Sequence, residues 1–76
     1  MKIWIVRFIN EFDQYVFSSA EKAYNCILDG IKEDFGADDG VDKIIDELYE
    51  DYEKYPSQFG VEDYAYAEME IVDEYC

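Results

Sequence analysis

The side chains able to do chemistry are overwhelmingly carboxylates: 20 Asp and Glu stand against six Lys and Arg, with no histidine and two cysteines. Without histidine there is no ordinary general base, no imidazole metal ligand and no Ser-His or Cys-His nucleophile pair. Cys26 and Cys76 are too few to hold zinc by themselves. Gly30, Gly36, Gly40 and Gly60 match neither the dinucleotide-binding fingerprint nor the P-loop, both of which cluster glycines at a strand-to-helix turn. A calcium loop counted from Asp34 also fails. It would need glycine where Asp39 stands and a bidentate glutamate where Ile45 stands, although Asp34 and Asp38 fit. The chain is therefore expected to be no enzyme and to hold no cofactor and no metal.

The acids are unevenly spread. Through Lys32, four bases (Lys2, Arg7, Lys22, Lys32) balance four acids (Glu11, Asp13, Glu21, Asp29). From Glu33 onward only Lys43 and Lys54 face 16 acids, so the whole formal net charge of -14 lies in the second part. Such density opposes compaction by self-repulsion and repels nucleic acid and anionic membranes, so no direct nucleic acid and no membrane is expected as partner. A basic protein surface is the natural counterpart.

The spacing of these acids adds to the argument. Asp42, Asp46 and Glu50 are four apart, as are Glu47 and Asp51, which puts neighbouring carboxylates about 6 Å apart along a helix. Glu68 and Glu70, two apart on a strand, stand about 6.6 Å apart. A nucleic-acid strand offers one charge per roughly 3.4 Å of axial rise plus the helical path around it, so these intervals suit a phosphate mimic. A merely solvated helix face would have the same intervals, but such faces usually mix signs, and here only Lys43 and Lys54 interrupt the acids.

The elements that must position these groups follow from periodicity. Lys2 to Ile9 reads as a strand apolar on both faces and hence central, and Gln14 to Phe17 as its hairpin partner after the turn residues Asn10 to Asp13. Ser18-Ser19-Ala20-Glu21 has capping-box spacing. The helix after it carries Ala20, Ala23, Tyr24, Ile27, Leu28, Ile31 and Phe35 on one stripe, with Gly36 as a left-handed stop. Cys26 falls on the apolar stripe of this helix and is read as core. Ala37 to Gly40 form a loop, and Val41, Ile44, Ile45, Leu48, Tyr49, Tyr52 and Tyr55 mark a second helix ending before Pro56. A polar loop then runs from Ser57 to Asp63.

Tyr64 to Val72 alternates as a third strand, with Ala65, Ala67, Met69 and Ile71 on a covered face and Tyr64, Tyr66, Glu68 and Glu70 on an open one. The expected fold is α+β: one domain over residues 1–76, strand-strand-helix-helix-strand, with both helices on one face of a three-stranded sheet.

Half the residues are hydrophobic and 18% aromatic, too many for a disordered acidic tail. The core is small all the same, since a chain of this length buries only about 60% of its unfolded surface. No apolar run is long enough to span a membrane, and Arg7 interrupts the opening stretch too early for a signal peptide, so a cytoplasmic protein is expected. Cys76 is expected to fray and to risk an intermolecular disulfide.

A chain under 100 residues, compact α+β patterning, no catalytic groups and runs such as Asp46-Glu47-Leu48-Tyr49-Glu50-Asp51-Tyr52-Glu53 together resemble a known type. They look like the small acidic anti-CRISPR and anti-restriction inhibitors that bacteriophages and mobile elements direct at host nucleases. The resemblance implies a monomer or homodimer that occupies the basic nucleic-acid groove of a nuclease as a phosphate-backbone mimic. The neutral first part departs from uniformly acidic mimics and suggests that the acids cover one side only. The candidate partner-binding residues are Asp42, Asp46, Glu47, Glu50, Asp51, Glu53, Glu68 and Glu70, with Tyr64 and Tyr66 as anchors because tyrosine is large, rigid and amphipathic. The alternative is an interaction or homodimerisation module that uses an open sheet face bearing Ile3, Ile5, Tyr64 and Tyr66, with incidental acidity.

Overall fold

The computed structural model describes residues 1–36 and 40–72. The expectations for Ala37 to Asp39 and for Cys76 lie outside them. In chain order the elements are β1 (Lys2–Phe8), β2 (Gln14–Phe17), α1 (Ala20–Phe35), α2 (Val41–Lys54), β3 (Gln58–Val61) and β4 (Ala65–Ile71). The fold is α+β, but the sheet has four strands rather than three, all antiparallel, in the order β2-β1-β4-β3.

The added strand is β3, which lies in the stretch read as a polar loop. Its sequence hides it, being four residues long with a glycine inside, and glycine weakens any strand signal. Two features hold it in the sheet. Phe59 is 2% exposed and sits opposite Ala67. At Gly60, a β-carbon would overlap the Ala65 carbonyl oxygen and come within 2.6 Å of the Tyr66 Cα, so only glycine allows the strands to approach so closely. A β-turn links β3 to β4, closed by the Tyr64 N–H donating to the Val61 carbonyl at 3.1 Å, with Asp63 in the left-handed region at φ 63.

Both helices pack on one face of this sheet. α1 lies over β1, β2 and β4, and α2 over β3. Between the layers Val6, Ala23, Ile27, Ile31, Leu48, Phe59, Ala65 and Ala67 form the buried core. Ala23, Ile27 and Ile31 repeat every four residues, so one stripe of α1 supplies three of these eight core residues. The small Ala65 and Ala67 let the helices sit close to β4. Trp4 ties the layers together at the rim, its indole N–H donating to the Pro56 carbonyl at 2.8 Å.

Four local expectations are corrected. Ser19, not Ser18, caps α1, its hydroxyl accepting the Lys22 N–H at 3.2 Å, so the serine pairs one residue later than the capping-box spacing implied. Gly36 ends the helix in the right-handed region at φ -50 rather than in a left-handed stop. Ile71, expected under the helices, is 72% exposed because β4 runs out past them beside Lys2. Cys26 is half-buried at the edge of the stripe rather than in the core.

Candidate functional site

A helix turns about 100° per residue, so the α2 carboxylates do not form a single row. With Leu48 in the core, Asp42, Asp46 and Glu53 lie on one flank, Glu50 on the crest, and Glu47 and Asp51 on the flank beside β3. All are exposed except Asp51, which is half-buried. Glu47, Glu50 and Asp51 face Glu62 across a hollow of about 290 Å³ floored by Gly60 and Val61. Glu62 is a contributor that the sequence reading missed, because it reaches the helix only through the β3–β4 hairpin; Gly60 followed by Glu62-Asp63 was the available turn signal.

Glu68 and Glu70 are elsewhere. Their strand pairs with Ile5 and Ile3 of β1 and turns them to the sheet face that no helix covers. Glu68 is also engaged, since Arg7 reaches it at 3.6 Å and the Gln58 amide donates to it at 3.4 Å. Arg7 in turn donates to the Gln14 side chain at 3.2 Å. A polar row therefore crosses all four strands, Gln14–Arg7–Glu68–Gln58, and divides the apolar patch of Ile3, Ile5, Val16 and Tyr66 that a sheet-face dimer would use. Ile5 is 9% exposed even with no helix above it, shielded by these neighbours.

The two tyrosines separate. Tyr66 does lie on the open face, opposite Arg7 and Gly60. Tyr64 does not: it precedes β4 and belongs to the turn, and the left-handed Asp63 takes it out of the strand alternation. Its ring packs edge-on against Phe8 and Phe35 at 5.5 and 5.2 Å, on the helix side, and its hydroxyl donates to Asp34 Oδ2 at 2.7 Å. Gly30 makes the room, since a β-carbon there would meet the Tyr64 hydroxyl at 2.8 Å and Phe8 at 2.9 Å. Tyr64 is a packing residue and cannot anchor a partner on the open face.

Burial, then the hydrogen bond to Asp34, pushes the Tyr64 phenol far above its ordinary value of 10.0. The fold thus favours the neutral phenol. That contribution is complete below about pH 10 and is lost as pH rises through the folded value. Urea titrations at pH 8 to 12 are expected to show wild type losing more stability than Tyr64→Phe above pH 10. Parallel curves would show that this hydroxyl is not held by the fold. A similar effect acts on Cys26, whose thiol is pushed up by burial and then by Asp29 and Glu11, which keeps it in its less nucleophilic form.

Among the described residues two ion pairs form, Arg7–Glu68 and Glu50–Lys54, the latter at 3.8 Å. No three His, Cys, Asp or Glu side chains among them converge on a metal position, and no helix among them is long and apolar enough to cross a membrane. Comparison of the chain with protein-family models, with curated proteins and with solved structures finds no match.

Proposed function

We propose that the chain is a non-enzymatic binding protein that acts in the cytoplasm on a nucleic-acid-binding enzyme such as an RNA-guided or restriction nuclease. The α2 carboxylates would occupy its basic groove in place of phosphates. One observation carries this reading. Asp42, Asp46, Glu47 and Glu53 are exposed along α2, and none of them takes part in an ion pair among the described residues. A helix that carries its acids unpaired keeps its field for an external cation, whereas surface faces that serve only solubility usually mix signs. Arg7 is committed to Glu68, and Glu70 lies with it on the face away from α2, so the basis for the reading lies with the helix layer.

The test starts from capture of basic nucleic-acid-binding proteins from a bacterial lysate on the immobilised chain, at low and high salt. Duplex DNA is then titrated against the captured protein. The triple variant Asp46→Asn/Glu50→Gln/Glu53→Gln removes three charges while keeping size and helix context. It is expected to compete with DNA at least about tenfold less well, chiefly through slower association. Equal competition by both proteins, with circular dichroism showing both folded, would rule out the α2 acids as the mimicking surface.

A further inference from the structure

The free edge of β3 carries a second inference, independent of what the α2 crest binds. β3 is an outer strand, paired on one side only. The Met69 N–H donates to the Ser57 carbonyl at 2.8 Å, and this sets the phase of the ladder: Ser57, Phe59 and Val61 turn their main-chain groups toward β4, while Gln58 and Gly60 turn theirs away. The Gln58 N–H is drawn back to the Tyr55 carbonyl at 3.0 Å. Facing outward are the Gln58 carbonyl and both main-chain groups of Gly60. Sheet edges are commonly blunted by lysine, proline or a bulge, and Gln58-Phe59-Gly60-Val61 has neither residue.

Two hollows flank this edge. Toward α2 is the one lined by Glu47, Glu50, Asp51 and Glu62, whose single base, Lys54, is paired with Glu50. Continuous with it through Asp51 and Glu62 is a groove of about 560 Å³ that runs along β3 past Tyr55 and Asp63 to Ile9 and Tyr66. An added strand would alternate its side chains between the α2 side, among Glu47, Asp51 and Glu62, and the open face of the sheet, where Tyr66 lies. Gly60, having no side chain, leaves Tyr66 uncovered for the second set.

We propose that this edge accepts an extended segment of a partner protein as a fifth strand, with Lys or Arg at every other position facing Glu47, Asp51 and Glu62 and apolar residues between them facing Tyr66. Main-chain pairing supplies the register and the two hollows supply the specificity. Charge selects this occupant over a second copy of the chain, because pairing β3 with β3 would bring two sets of the same carboxylates together.

The experiment uses the whole chain and a seven-residue peptide of alternating lysine and valine, followed by amide hydrogen exchange and nitrogen-15 NMR. Exchange of the Gly60 amide is expected to slow at least tenfold on binding. Of two peptides N-methylated at alternate residues in opposite phases, one should lose binding and the other keep it. A glutamate-valine peptide should not bind, and Glu47→Gln/Asp51→Asn/Glu62→Gln should weaken the lysine peptide at least tenfold. Unchanged exchange at Gly60, equal binding of both N-methylated peptides, or Gly60 protection that appears at high protein concentration without peptide would each overturn the proposal. The variant Asp42→Asn/Asp46→Asn/Glu53→Gln, on the opposite flank of α2, keeps Glu47, Glu50, Asp51 and Glu62 in place, so loss of its DNA competition with retained peptide binding separates the two surfaces.

Discussion

Gly60→Ala is expected to strip β3 from the sheet and leave the chain close to unfolding at room temperature. The added methyl would overlap the Ala65 carbonyl and the Tyr66 backbone, neither of which can rotate away. Overpacking commonly costs about 1–3 kcal/mol when side chains can adjust, and a clash with backbone belongs at the upper end. Parting the strands also uncovers Phe59, whose burial contributes about 2 kcal/mol. A loss on the order of 4 kcal/mol is most of what a small domain has, since net stabilities begin at about 5 kcal/mol. Urea unfolding followed by Trp4 fluorescence measures this, because the Trp4 indole is bonded to Pro56 just ahead of β3. Gly40→Ala is the control: nothing lies within 4 Å of its β-carbon position, and the cost there is expected to stay within about 1 kcal/mol. Equal midpoints for the two variants would contradict the close strand approach.

The second large effect is salt stabilisation. In 10 mM salt the screening length is about 30 Å, well beyond the 12.8 Å radius of gyration, so carboxylates on both layers feel one another. One like-charge pair 10 Å apart in water costs about 0.4 kcal/mol. About five unbalanced pairs reach about 2 kcal/mol, equivalent to a Tm rise of about 10 °C for a domain of this size. Raising NaCl from 10 mM to 1 M should produce that rise, and Asp46→Asn/Glu50→Gln/Glu53→Gln should show a higher starting Tm and a smaller increment. A Tm that is flat or falls with salt would mean that the α2 acids are neutralised locally, and the proposed function would lose its carrying observation.

Much of the helix layer was legible because it rests on local pattern. The four-residue repeat of Ala23, Ile27 and Ile31 defines one face whatever the helix packs on, and Pro56 ends α2 through its own ring. The sheet was legible only where strands are long and apolar. β3 depends on Gly60 meeting Tyr66 and Phe59 meeting Ala67, contacts between chain segments that no local period encodes. Tyr64 was misplaced for a related reason: alternation was extended one residue into a turn, and the backbone of Asp63 decides which side a turn residue takes. The α2 candidates could be named from charge alone, but their division between crest and β3 flank could not, since it depends on where the hairpin lies. Glu68 looked like any other acid until Arg7, far away in sequence, was found beside it.

The strand order also bears on when the protein can exist at all. β1 is synthesised first, yet one of its two neighbours is β4, with Lys2 opposite Ile71. A ribosome can release β1, β2 and α1 early, but the centre of the sheet cannot close until Ile71 has cleared the exit tunnel. Until then Trp4, Val6 and Phe8 lack β4 beside them, and β1 presents a bare apolar edge to other nascent chains. Completion therefore comes after nearly all of the acidic second part has emerged, and like-charge repulsion between neighbouring nascent chains should help keep that edge from aggregating while it waits.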